Sequence, residues 1–238
     1  MANEKEWLDS VSNVYGSHDG KLDERLVNVF TLDLVAAEAS AARRVLLMGV
    51  GSGVVARELQ QRCAHLTVVE GSAMLAGAFR AEHPGITVVE TLFEDYTPEE
   101  PFDLVIGSHV LEHVEEPVAV AARARAWMAP GALAIFTVPN RHSLHRRVGV
   151  EMGLLERPDS LSERDHRQGH RRVYDGAGLK RDIQAAGYRD VEVSGYWAKF
   201  VPNTMMADWS RELVDAIYRV SRSLDPDLCV NLCARCRC

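Results

Sequence analysis

The sequence predicts an α/β fold: a doubly wound parallel sheet whose strands alternate with helices, interrupted once by a lid-like insertion. Three observations carry this. Apolar runs of strand length alternate with amphipathic stretches of helix length. A turn with three glycines, Gly49, Gly51 and Gly53, joins the first apolar run to a helix. The second apolar run ends in an acid, Glu70, at the carboxyl edge where such sheets bind ligands.

Composition sets the outer bounds. A chain of 238 residues suits one sizeable domain with a lid. A hydrophobic content of 47% and a formal charge of −7 describe a globular chain without the basic footprint of a general nucleic-acid binder. The opening MANEKEWLDS has no apolar signal core, and no run approaches the roughly 20 residues that cross a membrane, so a cytoplasmic location is expected. Five cysteines, Cys63, Cys229, Cys233, Cys236 and Cys238, are then expected as free thiols.

Taken in order, residues 4–15 and 21–39 read as two helices, the second with Leu22, Leu26, Val29, Phe30 and Leu34 at helical spacing. Residues 1–40 are expected as a helical cap and 41–238 as the α/β domain. Tyr15 and His18 lie in the joint between the two helices, Tyr15 as a candidate ligand contact. Val45–Met48 is short and apolar enough for a strand buried on both faces. Ser52 is the expected cap of the helix that follows, and Leu66–Val69 is the second strand. Strand, glycine loop, helix, strand and acid make one βαβ unit for a nucleoside-like ligand. Its glycines let the backbone approach the ligand, and Glu70 can accept both hydroxyls of a ribose.

Ser72 is placed to cap the next helix, through Met74 and Phe79, which stops at Pro84-Gly85. Ile86–Glu90 is the third strand and Phe102–Gly107 the fourth. Pro117 opens a helix behind Glu115 and Glu116, expected to end near Pro130-Gly131. Ala132–Val138 is the fifth strand. Residues 141–172 then break the alternation with eight arginines, no lysine and four histidines, His142, His145, His166 and His170. The stretch reads either as a solvated insertion or as a lid whose Arg and His groups grip an anionic or hydroxylated acceptor. A helix over 177–186, a strand over Val191–Phe200, a helix over Thr204–Ser221 and a last strand with Leu228, Val230, Leu232 and Ala234 on one face complete the chain.

Two constellations have competing readings. His109-Val-Leu-Glu112-His113 fits the HxxEH zinc-protease pattern, but it follows a buried strand instead of lying on an exposed helix. His109 or His113 there can serve as a general base, or simply pack. Cys229-x3-Cys233-x2-Cys236 has the spacing of an iron–sulfur site, yet it falls on the closing strand, so small buried side chains and a frayed tail are expected.

With these residues in view, the chain resembles the class I S-adenosylmethionine-dependent methyltransferases over nearly its whole length, most strongly from Val45 to Asn140. VLLMGVGSG resembles the family's VLDVGCGTG motif. FDLVIGSHVLEHVEEP resembles the fourth-strand motif of small-molecule methyltransferases, including ubiquinone-pathway O-methyltransferases, and PGALAIFTVPN the fifth strand. The resemblance implies a seven-stranded, mostly parallel Rossmann-like sheet with its seventh strand antiparallel. It implies S-adenosylmethionine as cofactor, in contact with Tyr15, Gly49, Gly51, Gly53, Glu70, Gly71, Ser72, Met74, Phe93, Glu94 and Ser108. His109 and His113 are then candidate catalytic residues. The acceptor pocket is expected from the lid over 141–172, through His142, His145, Arg146, His170 and Tyr174, and from the lid helix near 204–222. Two positions depart from the family. Leu47 stands where it carries an acid that orders the loop and the methionine end of the cofactor, and Leu92 stands where many members carry an Asp.

The expected reaction is methyl transfer to a hydroxyl, or an amine, of a small molecule in biosynthesis, such as secondary or cell-surface metabolism. No metal, nucleic acid or membrane span is expected, and a homodimer is left open. The rival readings are an NAD(P)-binding oxidoreductase, since Gly51-Ser-Gly53-Val-Val-Ala56 also fits a dinucleotide fingerprint, and a non-catalytic binding subunit, motivated by Leu47.

Overall fold

The computed structural model describes residues 2–12 and 21–238. Tyr15 and His18 lie outside the described residues. Helices α1 (Ala2–Ser12) and α2 (Lys21–Ala41) precede a seven-stranded sheet in the order β3-β2-β1-β4-β5-β7-β6. Its strands are β1 (Arg44–Met48), β2 (His65–Glu70), β3 (Thr87–Glu90), β4 (Phe102–Ser108), β5 (Met128–Pro139), β6 (Arg189–Tyr196) and β7 (Asn231–Arg237). β1 pairs in parallel with β2 and β4, while β7 runs antiparallel to both β5 and β6. The seven-stranded, mostly parallel sheet is therefore as expected.

Alternate residues of each strand face opposite layers. Leu46 and Met48 of β1 join one apolar cluster with α5 (Pro117–Ala126) and α8 (Gly176–Ala185), through Val120, Ala124, Leu179 and Ile183. Val45 and Leu47 face the other layer, with Phe30 and Leu34 of α2, Val55 and Leu59 of α3 (Val54–Gln60), Phe79 of α4 (Ala73–Glu82) and Val214 of α9 (Arg211–Ser221). Leu47 thus lies on the α2 side of β1. Ser72 caps α4 as expected, its Oγ accepting from the Leu75 N–H at 3.2 Å.

Several expectations give way. The N-cap of α3 is Gly53, not Ser52, and no side chain caps that helix. Gly53 sits at φ +77, and a Cβ there would meet the Phe79 ring at 2.6 Å, so only glycine closes this turn. The helix read over Thr204–Ser221 is a short 3₁₀ turn, Asn203–Met206, and then α9. Ser210 starts α9 by accepting from the Leu213 N–H, and a capping Ser draws the boundary to itself. α5 ends at Ala126 because the chain already pairs in β5 from Met128. The strand read to Phe200 ends at Tyr196, where Trp197 turns the backbone into the left-handed region at φ +62. β7 is buried on both faces because an apolar layer packs on each: Leu232, Ala234 and Cys236 join one cluster and Cys233 the other, while Leu228 lies before the strand in a 3₁₀ turn. The tail is not frayed: the Cys238 N–H donates to the Ala132 carbonyl, and Arg189 donates to the Cys238 carbonyl.

The insertion folds into α6 (Leu144–Glu151) and α7 (Glu163–Arg167). No helix among the described residues is long and apolar enough to cross a membrane.

Candidate active site

A single cavity of about 1410 Å³ runs from the glycine loop to the insertion. Sites for drug-sized ligands occupy about 300–1,000 Å³, so this one has room for a nucleoside cofactor and a second molecule together. Its floor is the carboxyl edge of the sheet, with Met48, Gly49, Gly51, Glu70, Ser108 and His109 among its lining residues.

At the cofactor end, Gly49 and Gly51 take positive φ, and a Cβ at either would meet nothing within 4 Å, so the loop borders open space. Glu70 is 7% exposed. Its Oε2 accepts from the Val50 N–H at 2.9 Å and its Oε1 from the Ser72 N–H at 2.8 Å. Burial pushes its pKa up against these backbone bonds. The carboxylate thereby joins the glycine loop to the start of α4, and each oxygen keeps a lone pair for a ribose hydroxyl. Gly71, Ser72, Phe93 and Glu94 line the same end, so the residues present fit an adenosine-bearing cofactor. Asp9 of α1 accepts from Ser72 Oγ and from the Met74 N–H, which draws α1 over this rim.

Two of the cofactor candidates do not reach the cavity. Gly53 is spent on the turn beneath Phe79, and the Met74 side chain is 44% exposed at the start of α4.

The middle of the cavity is flanked by a cluster of titratable groups. His109 sits in the left-handed region at φ +54, where a non-glycine residue is strained, and such strain clusters at functional sites. Its Nδ1 lies 2.9 Å from Glu112 Oε1 and its Nε2 3.3 Å from the Tyr196 hydroxyl. A carboxylate on Nδ1 fixes the proton there and leaves the Nε2 lone pair. Glu112 is fully buried. Burial opposes its ionisation, but the charge and hydrogen bond of His109, with His113 and His170 beside it, hold its pKa below the usual value. Its Oε2 has no hydrogen-bond partner among the described residues. Burial, only partly offset by Glu112, lowers His113 to about 4, so its ring is neutral near pH 7. Tyr196 is buried and its pKa pushed up by that burial, so it stays protonated. Ser108 Oγ shares hydrogen bonds with Thr31 of α2 and Thr137 of β5, each at 3.2 Å.

Residues 109–115 form turns, not the helix that an HxxEH protease site needs. Glu112, His113 and His170 nevertheless present ligand atoms within 4.8 Å of one another, and these residues could hold a divalent ion. The terminal cysteines are not among the groups of ligand atoms brought together in the described residues. Cys229 and Cys233 are pushed up to about 11 and Cys236 to about 12 by burial, and all five cysteines are free.

At the lid end, His145, Arg146 and His170 line the cavity, but His142 and Tyr174 do not. His142 turns outward to Asp227 at 3.3 Å, and Tyr174 is buried in the core. Arg146 is a strut of the lid and not a free grip. Its guanidinium donates to the carbonyls of Pro158 and Ser160 and to Asp165. His170 Nδ1 meets Asp165 at 2.9 Å, and its ring stands edge-on to His113 at 4.8 Å. Val148, Met152, Leu154 and Leu155 give this end an apolar wall. Arg171 ties the insertion to α1, donating to Glu4 at 3.0 and 3.1 Å and lying 4.3 Å over the Trp7 ring. The sequence reading missed Asn28 and Thr31 on α2, Glu112 as a partner of His109, and Lys199. Their signals were available only as polar residues in otherwise apolar stretches.

A model described as a methyltransferase domain matches residues 22–193. This chain belongs to the S-adenosylmethionine-dependent methyltransferases. It is therefore an enzyme of that class with S-adenosylmethionine as cofactor, and the oxidoreductase and non-catalytic readings fall away. The ubiquinone biosynthesis O-methyltransferase of Hahella chejuensis is 30% identical over 169 residues, 66% of this chain and 67% of the relative. That of Vibrio vulnificus (strain YJ016) is 29% identical over 150 residues, 58% of this chain and 64% of the relative. The fold is shared with a Thermotoga maritima methyltransferase at TM-score 0.67, with 19% identity and 92% of each chain covered. It is also shared with the N-methyltransferase NodS of Bradyrhizobium japonicum in complex with S-adenosylhomocysteine, at TM-score 0.60, 17% identity and 96% of each chain.

Proposed function

We propose that this methyltransferase acts on a hydroxyl of a small-molecule acceptor, with His109 as the general base. The observation that carries the reading is the His109–Glu112 pair: His109 lines the cavity, and Glu112 is buried behind it. Bound S-adenosylmethionine supplies a methyl group already activated by its sulfonium, so the protein's work is alignment, exclusion of water and removal of one proton. Glu112 holds the Nδ1 proton of His109 and stabilises the imidazolium that forms when Nε2 takes the acceptor's proton. Tyr196 flanks the Nε2 side of the ring, and its hydroxyl turns its proton to Thr31 or Thr137 when Nε2 takes the acceptor's proton. His113 remains neutral beside the cavity and lines the approach of the acceptor. Val148, Met152, Leu154 and Leu155 are apolar contacts for the acceptor's body, with His145 and His170 as polar ones. The Hahella and Vibrio relatives, which bear an O-methyltransferase name, support oxygen over nitrogen.

The same reading needs no metal. Glu112, His113 and His170 would hold a divalent ion if one binds, and its contribution would be to lower the pKa of the acceptor hydroxyl. The test is a panel of phenols, aliphatic alcohols and amines incubated with enzyme and S-adenosylmethionine, with methylated products read by mass. Methylation of hydroxyl acceptors, abolished by His109→Ala, is expected. Turnover of amines alone, or turnover indifferent to His109, contradicts the proposal.

A further inference from the structure

The cofactor's amino-acid arm ends in an ammonium and a carboxylate, and a closed site has to meet the ammonium with acceptor oxygens. With its ribose at Glu70, a bound cofactor would send this arm along Gly49 and Gly51 toward α2 and the end of β1. That wall is largely apolar, lined by Val27, Leu47, Val50 and Val55. The acids that line the described cavity lie elsewhere: Glu70 at the ribose end, Glu94 and Asp95 beyond it, and Glu4, Glu115 and Asp165 toward the lid. Leu47 faces α2 and is 2% exposed within the apolar cluster, so its side chain offers no acceptor there.

Among the described residues of α2, Asn28 is the polar one that lines this wall. Its Nδ2 donates to Ser52 Oγ at 2.8 Å, a bond that fixes the planar amide. Oδ1 is thereby turned away from Ser52, and it takes no hydrogen bond from a described residue. The bond also explains why Ser52 does not cap α3: its hydroxyl belongs to a contact 24 residues away.

We infer that Asn28 Oδ1 accepts the ammonium of the cofactor's amino-acid arm, and that Ser52 holds the amide in the orientation this requires. The inference rests on the cofactor assignment and is independent of which acceptor is methylated. It is tested by calorimetric titration of two ligands into wild type, Asn28→Leu, Asn28→Asp and Ser52→Ala. S-Adenosylhomocysteine carries the amino-acid arm; 5′-methylthioadenosine has the nucleoside and sulfur without it.

Asn28→Leu is expected to weaken S-adenosylhomocysteine by about ten- to hundredfold, the span of a hydrogen bond to a charged group, and to leave 5′-methylthioadenosine unchanged. Asn28→Asp is expected to bind S-adenosylhomocysteine at least as tightly as wild type. Ser52→Ala is expected to fall between wild type and Asn28→Leu for that ligand only. Undiminished 5′-methylthioadenosine binding shows that each variant keeps a folded site. Equal loss of both ligands in Asn28→Leu, no loss of either, or an Asn28→Asp that behaves like Asn28→Leu overturns the inference. Wild type that binds neither ligand overturns the cofactor assignment as well.

Discussion

The role proposed for His109 rests on two constraints that act on one ring. The strained backbone at φ +54 directs the side chain, and Glu112 sets the tautomer. Removing the ring in His109→Ala is predicted to lower kcat by about 10²–10⁴-fold, the usual worth of general acid–base catalysis, with S-adenosylhomocysteine affinity unchanged. Glu112→Gln keeps the shape and removes the charge, so a smaller loss of kcat is expected, with a shifted pH–rate profile as its signature. Steady-state kinetics across pH checks both. The metal-free reading is checked by exhaustive dialysis against a chelator, after which full activity is expected; loss restored by added Mn²⁺, Mg²⁺ or Zn²⁺ would assign the ion to Glu112, His113 and His170. Leu47 also has a definite consequence. A carboxylate at this apolar position is costly to bury unpaired, so Leu47→Asp is predicted to lower the melting temperature of the free protein, with S-adenosylhomocysteine recovering more of the loss than it adds to wild type.

The insertion proposed as a lid is held by its own charges. Asp165 accepts from Ser162, Arg146 and His170. Burial works against its ionisation, but these hydrogen bonds and the Arg146 charge hold its pKa well below the usual carboxylate range. A depressed folded-state pKa gives stability that is full above the unfolded value, about 3.9, and is lost as pH falls toward the folded one. Asp165→Asn leaves Arg146 buried and short of its charge partner, for which about 3–5 kcal/mol of destabilisation is typical. Thermal melts are predicted to show the variant less stable near neutral pH and lacking part of the wild-type loss below pH 4. A variant with the wild-type melting temperature would contradict the strut.

The same element shows where sequence reading stops. Ser72 and Pro117 obey local rules of helix starts, and both were legible as written. The arginines of the insertion were legible as a cluster. That Arg146 donates inward to Pro158, Ser160 and Asp165, and not to a ligand, depends on how the insertion folds back on itself. Ser52 was misread for a related reason: its partner Asn28 belongs to another helix.

At the scale of the whole molecule, the sheet edge, α1, α2 and the lid enclose one cavity, and the alternation of strands and helices made most of that architecture readable in advance. The βαβ unit alone suited a dinucleotide as well as S-adenosylmethionine; the match over residues 22–193 separates them. The direct test is calorimetric titration of the purified protein with S-adenosylhomocysteine and, separately, with NADH. Saturable binding of about one S-adenosylhomocysteine per chain with no heat from NADH is the predicted result. Saturable NADH binding, or no S-adenosylhomocysteine binding, would contradict the account.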